Sequence, residues 1–265
     1  MDWKKSTAVI TGGASGIGET AAKILAQKGA AVVIGDINPG EIKRVVGEIA
    51  AKGGRAAGLV TDVTKDGDVG NLMDKAIDFG GSINIVLPCA GIIRDGLMIS
   101  PDRETGKVKS KMTTEQFRSV LEVNLLGSFI TLREASARMV DNGWKGVLFV
   151  ISSINHVGQV GQLNYSSTKA ALALWPKILT GEFHMKGISG VRVVGIAPGY
   201  VGTPILKGMN QDALAAIVKD VHLGRLIEPE EIVRLMVEAA ENEALDGATL
   251  EITGGVTFGP RTRAK

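Results

Sequence analysis

The chain lacks the material for several common kinds of protein. Its single cysteine, Cys89, excludes an intramolecular disulfide and fits a reducing compartment. Aromatic residues make up 4% of the sequence, too few for the stacking platforms of single-strand binders. Charge of one sign is also missing: 30 basic residues face 28 acidic ones, a net +2, whereas a nucleic-acid partner calls for a concentrated basic face. No apolar run reaches membrane-spanning length. The first residues, Met1-Asp2-Trp3-Lys4-Lys5, lead straight into a strand-like run without the apolar core of a signal peptide. These absences lead us to expect a cytoplasmic protein with no nucleic-acid or membrane partner and no metal centre. Glycine, by contrast, is plentiful at 35 of 265 residues, which points to tight turns and close backbone approaches. At this length one large α/β domain spanning 1–265 is expected.

Strand-like and helix-like runs alternate along the chain. A β-rich run at 6–11 meets Thr11-Gly12-Gly13-Ala14-Ser15-Gly16-Ile17-Gly18, followed by an amphipathic helix over 17–28 and a strand over 31–35 that ends at Asp36. Glycines at 12, 16 and 18 let the backbone turn sharply and approach a pyrophosphate, to which a helix N-terminus offers N–H groups and a positive dipole. No Lys-Ser or Lys-Thr follows the glycines, which disfavours a phosphate-loop NTPase. Asp36 stands where a carboxylate accepts from adenosine ribose hydroxyls. Neither Ser15 nor Ile37 offers a cation for a 2′-phosphate, so NAD is expected over NADP. The competing reading is that Asp36 caps the next helix.

Helices over 41–52 and 66–79 alternate with strands over 56–61 and 83–87, which predicts a doubly wound parallel sheet. Ligands of such sheets bind beyond the strand carboxyl ends, a crevice that gathers the glycine loop, Asp36, Asp62 and Cys89–Gly91. Cys89 reads as a small packed residue, since no histidine lies near it in sequence. Residues 94–112 read as a long polar loop, and 114–141 as one continuous helix with Asn124 in an apolar turn, a buried hydrogen-bonding role. Later come strands over 191–197 and 248–252, a lid over 200–222 and a tail over 254–265.

Between them lies the stretch that carries chemistry. Ser152 and Ser153 follow the apolar run 147–151, and Tyr165 and Lys169 enter a helix four residues apart, on one face. A phenol ordinarily ionises near pH 10; a lysine ammonium one turn away is expected to draw that value down, towards useful general acid–base work.

Taken together these residues resemble the short-chain dehydrogenase/reductases over nearly the whole chain. The resemblance rests on the glycine motif 11–18, on Asp36 and Asp62, on Asn124, Ser153, Tyr165 and Lys169 as a catalytic tetrad, and on 198–203 as the loop that holds the nicotinamide carboxamide. It implies a seven-stranded sheet, a nicotinamide cofactor, hydride transfer at a carbon–oxygen centre and usually a homotetramer. The cofactor surface would then comprise Gly12, Ser15, Gly16, Ile17 and Gly18; Asp36 and Ile37; Asp62 and Val63; Cys89, Ala90 and Gly91; Pro198, Gly199, Val201 and Thr203; and Tyr165 with Lys169. Asn124, through local backbone distortion, would hold a water linking Lys169 to solvent.

Two departures from the family pattern matter. Cys89 stands where the family usually has Asn. Counting back from Tyr165 by the family spacing reaches Ser152, whereas counting forward from the strand reaches Ser153; Ser153 is favoured, because loops absorb length changes more readily than buried strand ends. Residues 161–165 and 91–98 look most like the β-ketoacyl thioester reductases of the family, while Asp36 opposes their usual NADP. An NAD-linked 3-hydroxyacyl or other secondary-alcohol dehydrogenase reconciles both. A polyol or cyclic-alcohol dehydrogenase is the alternative, and a non-catalytic NAD-binding sensor is the reading from another class.

Overall fold

Branched apolar residues dominate the central strands and are buried on both faces, as a sheet covered by helices on both sides requires. The computed structural model describes residues 1–208 and 210–256. In chain order it holds β1 (Thr7–Thr11), α1 (Gly16–Gln27), β2 (Ala31–Asp36), α2 (Pro39–Ala51), β3 (Arg55–Val60), α3 (Asp66–Gly80) and β4 (Ile85–Pro88). A hairpin of β5 (Ile99–Pro101) and β6 (Val108–Lys111) precedes α4 (Thr114–Val120), a π-helical turn (Leu121–Leu126) and α5 (Gly127–Asp141). Then follow β7 (Gly146–Ile151), a 3₁₀ turn (Ile154–Val157), α6 (Leu163–Met185), β8 (Val191–Pro198), α7 (Pro204–Lys207), α8 (Gln211–Lys219), α9 (Pro229–Glu241) and β9 (Thr249–Ile252).

The main sheet has seven strands in the order β3-β2-β1-β4-β7-β8-β9, and every pairing in it is parallel. This is the doubly wound architecture expected from the alternation. Period-two side-chain alternation divides the core. Ile10, Ile34, Leu87 and Phe149 face the layer of α1, α2 and α9, whereas Val9, Val33, Val86 and Leu148 face that of α3, α5 and α6. Strand order reverses between β1 and β4, so the crevice beyond their carboxyl ends is the ligand position of such folds.

One expectation needs correction. Residues 94–112 are not plain loop: β5 and β6 pair antiparallel. Asp102 Oδ1 closes their turn by accepting from the backbone N–H groups of Glu104 and Thr105 at 3.0 and 2.9 Å. The helical run expected over 114–141 has those bounds and carries the π turn within it, at Asn124, where Gly127 N–H reaches back five residues to the Glu122 carbonyl. Asn38, rather than Asp36, caps α2, its Oδ1 accepting from Gly40 and Glu41 N–H. Met209 of the expected lid and residues 257–265 of the expected tail lie outside the described residues. Among the described residues no helix is long and apolar enough to cross a membrane.

Candidate active site

The site begins where β1 ends. Gly12 adopts φ +63°, and a Cβ there would stand 2.6 Å from Ala90 N; one at Gly18 would stand 2.2 Å from the Gly12 carbonyl oxygen. The loop can therefore lie against the segment after β4 only if both positions are glycine. Ser15 precedes α1 without capping it through its side chain. The first-turn N–H groups of Gly16, Ile17 and Gly18 have no partner inside the helix. Thr203 packs there, 3.3 Å from the position of a Cβ on Gly16. At the end of β2, Asp36 accepts from Ala14 N–H at 3.2 Å and Asn38 N–H at 3.1 Å, with Ile37 exposed beside it. Asp62 is held below the usual carboxylate range, chiefly by the Thr64 hydroxyl and further by Lys65. Val63 is buried against Gly127. A glycine cradle, uncapped helix N–H groups and a carboxylate at the next strand end together fit a dinucleotide.

The proton-handling groups gather beyond β7. Adjacent residues of an extended segment point to opposite sides, and the two serines divide accordingly. Ser152 Oγ donates to the Lys169 carbonyl oxygen at 2.7 Å, inside the fold. Ser153 Oγ accepts from Asn155 N–H at 3.2 Å, and its hydroxyl favours the ionised form of the Tyr165 phenol. One helical turn on, Lys169 Nζ donates to the Ile151 carbonyl at 2.8 Å and lies 5.5 Å from the Tyr165 ring centroid. Burial depresses the lysine to about 8. It also pushes the Cys89 thiol up to about 12, which makes Cys89 a packed residue and no thiolate nucleophile.

The phenol departs from expectation. Burial raises the Tyr165 pKa above its ordinary value; the Ser153 hydroxyl opposes this and the Asp95 charge adds to it. The Lys169 ammonium bonds the Ile151 carbonyl and lies 5.5 Å from the ring centroid.

Asn124, in the π turn, uses both amide atoms on Ile92: Oδ1 accepts from its N–H at 2.8 Å, and Nδ2 donates to its carbonyl at 2.9 Å. The Asn124 carbonyl accepts the Ser128 hydroxyl at 2.7 Å. The widened turn thus fixes the segment that follows Cys89, Ala90 and Gly91. At the far rim, Gly199 N–H bonds Ile252 and Gly202 N–H bonds Ile227, which anchors the loop of Pro198, Gly199, Val201 and Thr203 to β9 and to the entry of α9.

Other site residues escaped the sequence reading. Asn164, fully buried, accepts from Tyr165 N–H at 2.8 Å and donates to the Arg94 carbonyl at 2.8 Å, which ties the segment before the hairpin to the start of α6. Gln162 donates to Asp95 at 2.9 Å. A run of amides directly before Tyr165 is the one local signal of them, since a helix start exposed to solvent needs no such set.

Comparisons with known proteins agree with this geometry. A family model described as "short chain dehydrogenase" matches residues 6–214. The chain is 34% identical over 252 residues to "Cis-4-hydroxycyclohexanecarboxylate dehydrogenase" of Sinomonas cyclohexanicum, covering 94% of this chain and 96% of that one. It is 29% identical to "3-oxoacyl-[acyl-carrier-protein] reductase FabG" of Thermotoga maritima, over 94% of this chain and 97% of the relative. Among solved structures, "Crystal structure of gox2181" superposes with a TM-score of 0.84 at 25% identity, covering 98% of this chain and all of that one.

Proposed function

Since the chain belongs to the short-chain dehydrogenase family, an oxidoreductase family that works with nicotinamide cofactors, we propose an NAD-linked enzyme that interconverts a secondary alcohol and a ketone. The observation that carries the reading is the gathering of three groups beyond β7: the Ser153 oxygen fixed by Asn155 N–H, and the Lys169 ammonium 5.5 Å from the Tyr165 ring centroid on one face of α6. When bound, the dinucleotide supplies or accepts the hydride. Tyr165 gives its proton to the ketone oxygen in reduction and takes it from the alcohol in oxidation. Ser153 grips the same oxygen and orients it. Lys169 stands one helical turn from the tyrosine as the cation next in line, and Asn124 fixes Ile92 and with it the segment after Gly91 that would line the cofactor's site.

Preference for NAD follows from charge. Asp36 repels a 2′-phosphate. Arg44 bonds the Ala14 carbonyl but is held by Glu19, Glu41 and Glu48. Three carboxylates neutralise the guanidinium and leave little attraction for an added phosphate. The substrate we favour is a 3-hydroxyacyl or 3-oxoacyl thioester. A cyclic alcohol is the second reading, favoured by the 34% identical cyclohexanecarboxylate relative. Nicotinamide absorbance, followed with NAD and with NADP across thioester, cyclic and polyol substrates, tests all three points. Turnover should be much faster with NAD; equal or better turnover with NADP would sink the Asp36 argument, and no turnover with any substrate would sink the enzymatic one.

We also propose a homotetramer. Phe129 and Val140 on α5, and Leu174, Ile178 and Met185 on α6, are exposed large apolar residues, more than one subunit's own packing uses. Light scattering should give four subunits; a monomer independent of concentration would contradict this. The segment 200–222 serves as a lid, and the whole chain acts as one catalytic domain.

A further inference from the structure

The segment between β4 and the hairpin presents a carboxylate to the proton-handling cluster, and its bonds have a fixed sense. Asp95 is held in place by its backbone: Gly96 N–H bonds the Gly161 carbonyl at 2.8 Å. Gln116 Nε2 bonds the Arg94 and Asp95 carbonyls, both at 3.0 Å. An ionised carboxylate only accepts, so Gln162 must turn its amide nitrogen to Asp95 Oδ2, at 2.9 Å. That leaves Gln162 Oε1 for Asn155, whose Nδ2 donates to it at 2.8 Å. Asn155 Oδ1 is then directed away and is buried with no hydrogen-bond partner among the described residues. Turning both amides over would pair the Asn155 oxygen but leave its amide nitrogen unpaired in its place, and would set Gln162 Oε1 against the carboxylate. The sense of the chain of amides is therefore fixed by Asp95 at its other end.

We propose, on the reading of Tyr165 as acid–base above, that Asp95 is a positioning residue of the reaction: through Gln162 and Asn155 it fixes the turn that carries Ser153, and it stations a negative charge beside Tyr165. The first part acts through Asn155, whose backbone N–H occupies the Ser153 oxygen at 3.2 Å and so leaves the Ser153 hydroxyl proton for the phenol or the substrate. The second holds the phenol in its protonated, donating form. Burial and the Asp95 charge both push in that direction. The other charged or titratable groups around the phenol are Lys169 from α6, whose ammonium bonds Ile151, and His156 from the 3₁₀ turn. His156 Nδ1 contacts the Ser153 carbonyl at 2.7 Å, while its Nε2 lies 3.9 Å from Glu251. Cys89, after β4, is kept a neutral thiol by burial.

The sign of the effect is definite. Alcohol oxidation needs the phenolate, so turnover rises with pH through the tyrosine pKa, and a neighbouring anion moves that rise to higher pH. The test compares pH profiles of oxidation for the wild type, Asp95→Asn, Asp95→Glu, Gln162→Leu and Tyr165→Phe. Asp95→Asn should move the rise to lower pH by on the order of half a unit to one unit. Asp95→Glu should keep the rise in place. Gln162→Leu, which cuts the chain of amides but keeps the charge, should lower turnover and leave the rise unmoved. A rise unmoved in Asp95→Asn, yet abolished by Tyr165→Phe, overturns this inference alone. A rise that persists in Tyr165→Phe belongs to another group and overturns the parent reading.

Discussion

Replacing Tyr165 by Phe should lower turnover by roughly 10²–10⁴-fold, the range of a lost general acid–base, while cofactor affinity stays nearly unchanged. The substitution keeps the ring that Lys169 Nζ meets at 5.5 Å and removes only the phenol oxygen. The chain has only two tyrosines. The other, Tyr200, lies in the loop after β8 and has no lysine one turn on. Steady-state turnover and a fluorescence titration of NAD, measured on the same preparation, separate chemistry from binding. Substantial residual turnover would point to another acid, with His156, whose ring already touches the Ser153 carbonyl, the next to be replaced. Loss of cofactor affinity in parallel with turnover would instead mean that the phenol holds the dinucleotide.

The adjacent serines give the second large effect. Ser153→Ala should depress turnover on the order of 10²–10³-fold, since it removes an oriented donor at the reacting oxygen. Ser152→Ala removes a 2.7 Å bond to the Lys169 carbonyl and should cost about 1 kcal/mol of stability with most of the turnover kept. Saturating NAD and one good substrate suffice to compare them, with thermal melts of both variants alongside. An inactive Ser152→Ala beside an active Ser153→Ala would assign the role to the serine counted back from Tyr165 and reverse the reading here.

Much of the fold was legible because its signals are strong and local. Alternating apolar strands and amphipathic helices predict a doubly wound sheet on period alone, and the glycines of the first loop mark backbone that side chains would block. The hairpin was not legible. β5 has three residues and β6 four, the β6 residues are all exposed, and a register shift falls at Pro101; with no buried face there is no period to read. The π turn was hidden for the opposite reason: 114–141 is helix-like throughout, and only Asn124 hints that the ladder widens. Within the site, Tyr165 and Lys169 could be placed on one face from spacing, but the direction of the phenol's pKa could not. It depends on burial and on Asp95, a residue 70 positions away in sequence that the β4 segment brings alongside. Gln162 and Asn155 were unreadable for the same reason, since amides announce neither partner nor orientation until the acceptor they face is known.

The central claim, that this site moves a hydride between a secondary alcohol and NAD, is tested most directly by isotope transfer. The protein is incubated with NAD and secondary alcohols deuterated at the carbinol carbon, and the reduced cofactor is examined for label. The account predicts one deuterium on the nicotinamide ring for each ketone formed, on a single face, and almost none with Tyr165→Phe over the same interval. Ketone formed without label on the nicotinamide, or label transferred equally fast by Tyr165→Phe, would contradict it.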